Sequence, residues 1–187
     1  MTKTEIRKTV SMLRGSLDKN SLEEMNEEIF KRVTRGKVAK LIGERPVFIY
    51  ASYNNETDTF KIADFFMEKG NVIAYPKVLS KNREMSFYRI NSTKELVKGY
   101  RGILEPLPKT SVDEISKEAV MIVPMVAFDK KLNRVGYGGG FYDTYLINKP
   151  PYMKIGIAFE KQCFNIDDVE ENDIKMDYIV TEKNIWQ

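Results

Sequence analysis

Histidine is absent from all 187 residues. That removes every Ser–His and Cys–His nucleophile pair, every imidazole acid or base, and the common zinc sites. A single cysteine, Cys163, excludes an internal disulfide framework and cysteine-rich metal clusters. A metal that takes part must rely on oxygen ligands, which points to Mg²⁺ or Ca²⁺. No apolar run approaches the roughly 18 residues of a membrane span, so no membrane partner is expected. The chain is charged from Lys3 onward and has no apolar leader, so a cytoplasmic protein is expected.

What is present suits one domain with a real core. Hydrophobic residues make up 42% of the chain, and 30 Lys and Arg stand against 27 Asp and Glu. The charge is uneven. Residues 1–45 hold 11 basic and 7 acidic side chains, whereas residues 165–187 hold 7 acidic and 2 basic ones. An anion-binding N-terminal region is therefore one reading. A nucleic-acid-binding domain would carry a denser basic patch, and the acidic C-terminal stretch opposes it.

Periodicity predicts a helix over 2–17, started by the capping box Thr2 and Glu5, with Ile6, Val10, Leu13 and Leu17 as its apolar stripe. Lys3, Arg7 and Arg14 share a neighbouring face, within about 40° of one another. They form either a solvated face or a row of cations aimed at phosphate or carboxylate groups. A second helix is predicted from Ser21, with Ser21 and Glu24 as a capping box, to about Arg35, with Gly36 as a break. The period then changes. Strands are predicted over 47–51, 72–75 (ended by Pro76), 85–90, 119–123, 153–159 and 178–181, and a helix over 60–69; 93–118 reads as mixed. The expectation is a single-domain α/β layered fold over 1–187. Its central sheet is Rossmann-like and mainly parallel, a mixed sheet being the alternative, and residues 1–45 add a helical layer.

Ligands of such sheets bind beyond the carboxyl ends of the strands. The strongest candidate there is Arg134-Val-Gly-Tyr-Gly-Gly-Gly-Phe-Tyr-Asp143, in which Gly136, Gly138, Gly139 and Gly140 lie within five positions. Glycines let backbone N–H groups converge on an anion. The segment lacks the Gly-Lys-Ser/Thr of a Walker loop and the placement of a dinucleotide fingerprint, and a glycine-rich surface loop is the bland alternative. Asp143 is a candidate Mg²⁺ ligand beside Arg134. Glu56 stands alone in a loop directly after a strand; Glu105, Asp173 and Asp177 are weaker candidates. Tyr50, Tyr53, Phe60, Phe128, Tyr137, Phe141 and Tyr142 recur near these loops and would line a pocket for a flat ring system if they are not core. Trp186 reads as a terminal anchor.

The run Ile122-Val-Pro-Met-Val-Ala-Phe-Asp129, followed by the glycine segment, resembles the 5-formyltetrahydrofolate cyclo-ligase family. So do Lys3, Arg7 and Arg14, Tyr50-Ala-Ser-Tyr-Asn-Asn-Glu56, Gly102-Ile-Leu-Glu-Pro106, and Glu171-Asn-Asp-Ile-Lys-Met-Asp177 before Thr181. Many members carry His before the aspartate matched by Asp173; here that residue is Asn172. The resemblance implies ATP-dependent closure of 5-formyltetrahydrofolate to 5,10-methenyltetrahydrofolate, with Mg²⁺. It implies that ATP is held by Lys3, Arg7, Arg14, Arg134, Val135, Gly136, Tyr137, Gly138, Gly139, Gly140 and Phe141. The folate would be held by Ala51, Glu56 and residues 137–141, and the metal by Asp143 and Asp173, with Glu56, Arg134 and Lys3 in the catalytic roles. A small-molecule partner, no nucleic acid, and a monomer (a dimer being the alternative) complete the expectation. A non-catalytic nucleotide- or polyanion-binding module is the competing reading, in which Glu56 and Asp143 are dispensable.

Overall fold

The structure, a computed structural model, describes residues 1–80, 82–108, 118–147 and 152–187. The predicted mixed stretch 93–118 therefore lies partly outside the described residues. Helix α1 (Lys3–Gly15) has the expected capping box: the Glu5 N–H donates to Thr2 Oγ1, and the Glu5 carboxylate takes the Thr2 N–H. Its buried positions are Ile6, Val10 and Arg14, four residues apart, so a guanidinium ends the apolar stripe. Helix α2 (Lys19–Thr34) starts earlier than expected. Asp18, not Ser21, is the cap, and it takes both the Ser21 N–H (3.0 Å) and the Ser21 hydroxyl (2.6 Å). A charged acceptor at the positive end of the helix wins over a hydroxyl three residues on. Gly36, at φ +64°, opens the separate helix α3 (Gly36–Ile42).

Strand β1 (Val47–Phe48) is followed by α4 (Phe60–Glu68), β2 (Ile73–Val78) and β3 (Met85–Ile90). Pro76 lies inside β2 instead of ending it. The Ile49 N–H donates to the Ala74 carbonyl, so residues 74 and 76 face β1, and β1 pairs only as far as Phe48. The donor that Pro76 lacks would face the Ile49 carbonyl, so the ladder stops one residue short of it, at Phe48. The short hairpin of β4 (Val97–Lys98) and β5 (Leu104–Glu105) precedes β6 (Val120–Val123), and a second hairpin pairs β7 (Ala127–Phe128) with β8 (Arg134–Val135). Then come α5 (Phe141–Ile147), β9 (Met153–Ile157), β10 (Tyr178–Val180) and β11 (Ile185–Trp186).

Among the described residues the main sheet has seven strands in the order β11-β10-β9-β6-β1-β2-β3. The five inner strands are parallel, and β3 and β11 close the edges antiparallel. The sheet is thus mixed around a parallel centre. Alternation sorts its two faces. Val47, Ile49, Val120 and Ile122 pack with Ile29, Val33, Ile42 and Phe66 of α2, α3 and α4. Phe48, Met121 and Val123 pack with Tyr145 and Leu146 of α5. Helix α1 departs from the expected layer: Ile6 and Val10 pack on Val126, Ala127 and Val135 of the β7–β8 hairpin, not on the sheet. Strand order reverses between β1 and β6, so the crevice at their carboxyl ends is where an open α/β sheet binds ligands.

Candidate active site

Glu56 stands at that crevice. The loop after β1 is closed by Thr59, whose hydroxyl donates to the Tyr50 carbonyl at 2.6 Å and accepts from the Ser52 N–H at 3.0 Å. Asn54 and Asn55 adopt φ near +50°, a conformation asparagine tolerates. This turn drives Glu56 inward until it is only 7% exposed. Its carboxylate takes the Tyr53 N–H at 2.8 Å, a hydrogen bond from the Tyr137 hydroxyl, and the charge of Arg14, whose Nη1 lies at 3.8 Å. Arg14 donates Nη1 to the same Tyr137 hydroxyl and Nη2 to the Met125 carbonyl at 2.9 Å. Burial pushes the Glu56 carboxyl above its ordinary range; the Tyr137 hydroxyl, the Arg14 charge and the Tyr53 amide act against that rise. Burial, joined by the Glu56 charge, raises the Tyr137 and Tyr142 phenols. Two buried polar atoms beside this cluster, Arg14 Nε and Tyr142 Oη, have no hydrogen-bond partner among the described residues.

The glycine segment forms the opposite wall. Gly138 and Gly140 have φ +89° and +70°, values an L side chain rarely adopts. Three arginines use the room that the missing side chains leave. From the place a Cβ would occupy, Arg134 Nη1 is 2.8 Å away at Gly136, the Arg7 guanidinium carbon 3.6 Å away at Gly138, and that of Arg83 3.2 Å away at Gly140. Arg7 also donates Nε to the Gly136 carbonyl at 2.8 Å. Among the described residues, none of the amides of residues 136–140 donates to a protein acceptor. The segment therefore presents donors and cations together, as an anion cradle requires.

Beneath it, Arg134 is 6% exposed and donates to Asp143 Oδ1 at 2.6 Å, which also takes the Ile174 N–H at 3.3 Å. Next along the chain, Asp173 Oδ2 receives Lys3 Nζ at 2.6 Å and the Glu170 N–H at 2.7 Å. Burial works to lower the Lys3 ammonium, but hydrogen bonds and charge from Asp173 and Glu170 outweigh it and raise the group. The second oxygens of Asp143 and Asp173 accept no hydrogen bond among the described residues. Among those residues no group of three or more carboxylates or thiols could cage an ion. This donor set fits Mg²⁺, which commonly takes one or two carboxylates and leaves its other positions to phosphates and water.

The structure thus brings together Arg7, Arg14, Glu56, Arg134 and residues 136–140. Lys3 sits on the acidic segment 170–173, joined to the glycine wall through Asp173, Ile174, Asp143 and Arg134. Ala51 is buried at the head of the Glu56 loop. Val135 points into the core against α1, so only its backbone faces the site. Phe141 packs its ring 5.8 Å from Tyr100. Of the other aromatics, Phe128 is core, packed on Trp186, and Phe60 stacks on Tyr75. Glu105 is buried and structural, bonded to Lys77 Nζ and the Val78 N–H, and Asp177 holds Lys154. Sequence reasoning did not foresee Arg83 over Gly140, the Met125 carbonyl beneath Arg14, or the Tyr137 bridge to Glu56.

A model of the 5-formyltetrahydrofolate cyclo-ligase family matches residues 1–182. The chain belongs to this family. A 5-formyltetrahydrofolate cyclo-ligase of Escherichia coli (strain K12) is 28% identical over 178 residues, covering 93% of this chain and 97% of that one. One from Haemophilus influenzae is 30% identical over 173 residues, covering 89% and 87%. The solved structure of Aquifex aeolicus 5,10-methenyltetrahydrofolate synthetase superposes with a TM-score of 0.84 at 29% identity, over 100% of this chain and 93% of that one. No helix among the described residues is long and apolar enough to cross a membrane.

Proposed function

We propose that the chain closes 5-formyltetrahydrofolate to 5,10-methenyltetrahydrofolate at the expense of ATP. One observation carries the reading: Tyr137 joins a buried carboxylate of raised proton affinity to a loop of free amides flanked by guanidinium groups. In this reading the amides of 136–140 with Arg7 and Arg134 hold the phosphates, and the Glu56 end holds the reduced pterin.

The formyl oxygen attacks the γ-phosphorus and ADP leaves, giving a phosphorylated formyl group. N10 then attacks the formyl carbon. The C–O bond breaks, phosphate departs with the former formyl oxygen, and N10 gives up its proton as the amidinium forms. Glu56, a buried carboxylate whose proton affinity burial raises, takes that proton and passes it to the departing phosphate. Phosphoryl transfer depends mostly on positioning and charge neutralisation, which suits a chain with no imidazole. Arg7 and Arg134 offset charge on the phosphoryl oxygens, and Lys3 sets the carboxylate of Asp173. Asp143 and Asp173 would hold Mg²⁺. When bound, that ion neutralises phosphate charge.

The test is to incubate the protein with MgATP and 5-formyltetrahydrofolate and follow methenyl absorbance and ADP together. Equal amounts of ADP and methenyl product are expected. Nucleotide binding without turnover would instead assign a binding module, and ADP formed without folate would assign a hydrolase.

A further inference from the structure

We infer that Arg83, at the tip of the β2–β3 hairpin, is a further binding residue that grips an oxyanion of a ligand lying on the glycine loop. Arg134, Arg7 and Arg83 stand over Gly136, Gly138 and Gly140 in turn. Arg134 is paired through Nη2 with Asp143. Arg7 and Arg83 have no carboxylate partner among the described residues. The two are placed alike. Cζ, Nε and Nη2 of Arg7 lie 3.6, 3.7 and 3.8 Å from the Cβ position of Gly138; Cζ, Nη1 and Nε of Arg83 lie 3.2, 3.2 and 3.3 Å from that of Gly140. Near-equal distances mean that each guanidinium lies face-on over its glycine. The in-plane N–H groups then point along the loop surface, where a planar fork binds carboxylate or phosphate oxygens.

This placement is anchored. Where β2 ends beside the tip, buried Glu105 takes the Val78 N–H and Lys77 Nζ, each at 3.3 Å. On β3, Phe87 packs against Tyr142 and Tyr145 of α5, the helix that continues the glycine segment. At the tip the Leu79 N–H donates to the Glu84 carbonyl, and Arg83 itself is held at φ +65°, strained for a side-chain-bearing residue. Gly140 has a φ of +70°, which an L side chain rarely adopts, and a Cβ there would lie 3.2 Å from the Arg83 guanidinium, which would have to shift by a few tenths of an ångström.

The inference rests on the glycine loop being the substrate-bearing surface proposed above. The oxyanion is either a nucleotide phosphate or a carboxylate of the folate's glutamate, and the test separates them. Wild type, Arg83→Ala, Arg83→Gly (which relieves the positive φ) and Arg83→Lys are assayed with each substrate varied in turn, beside a melting curve for each. Removing the guanidinium should raise one KM by about tenfold, the weight of one charge-assisted contact. The value of kcat should change little, and lysine should restore part of the loss. A rise in KM for ATP, with weaker ADP binding, assigns the phosphate; a rise in KM for the folate, with ADP binding unchanged, assigns the carboxylate. Both KM values within twofold of wild type in Arg83→Gly would overturn the inference. So would a fall in kcat with neither KM moved. A wild-type protein with no ATP-dependent turnover would count against the proposed function instead, and the effect of Arg83→Ala on ADP binding would then still decide whether the arginine grips phosphate.

Discussion

The two walls of the crevice hold their charges in opposite ways. At the Glu56 wall every charge meets a protein partner: the carboxylate has Tyr137, the Tyr53 amide and Arg14, and Arg14 has the Met125 carbonyl. Among the described residues, Arg7 at the glycine wall bonds only a carbonyl, Arg83 bonds nothing charged, and the loop amides donate to no protein acceptor. A self-neutralised cluster keeps its geometry before a ligand arrives and can tune a proton affinity. A wall of unmatched donors is completed by the ligand, so its energy appears as binding. In the proposed function, the first wall would serve the chemistry at the pterin and the second the capture of an anion.

That contrast predicts different kinetic signatures. Glu56→Gln should have the largest effect, lowering kcat on the order of 10³-fold with little change in KM for ATP, as checked by methenyl formation alongside an unchanged circular dichroism spectrum. Arg7→Ala should do the reverse, raising KM for ATP by about 10- to 100-fold while kcat holds; a fall in kcat alone would erase the distinction between the walls. Tyr137→Phe spans both and should lower kcat/KM about fivefold at neutral pH. It should also shift the pH profile. Because burial raises the Glu56 carboxyl above its ordinary 4.5, the acid limb of kcat/KM should inflect above that value. Without the Tyr137 hydroxyl, the strongest influence lowering it, the limb should move further up. The sign for stability is the opposite one: the contribution of protonated Glu56 is full below 4.5 and is lost as pH rises through its raised value. The smallest effect is expected from Asp143→Asn, which keeps a hydrogen bond to Arg134 and should raise the Mg²⁺ needed for half-maximal rate with little change at saturation.

Local chemistry was legible in the sequence; contacts across the chain were not. The Thr2–Glu5 cap, the break at Gly36 and the α/β alternation follow from spacing within a few residues. So did the candidacy of Glu56 and of the glycine segment, since their positions after strands are read along the chain. Ser21 with Glu24 matched a capping box by spacing, and only the structure shows that Asp18, three residues earlier, is the acceptor that caps α2. Pro76 looked like a strand end because the register of β1 against β2, which puts the proline's missing donor where β1 stops pairing, has no local signature. Strand β11 is two residues long and carries no readable alternation. Arg83 is one of several arginines in the sequence; its place over the glycine loop is visible only when the hairpin's tip meets a glycine 57 positions away.

Those long-range contacts have a consequence for how the protein comes apart. Lys3 to Asp173 spans 170 positions, Arg7 to Gly136 spans 129, and Arg14 to Met125 spans 111. Helix α1 therefore acts as a clasp over the β7–β8 hairpin and the segments beside it, and the crevice takes shape only after β6, that hairpin and the segment 170–173 are in place. Nucleotide should slow amide exchange in α1 as much as in the loop it touches, since the helix cannot open without releasing the ligand.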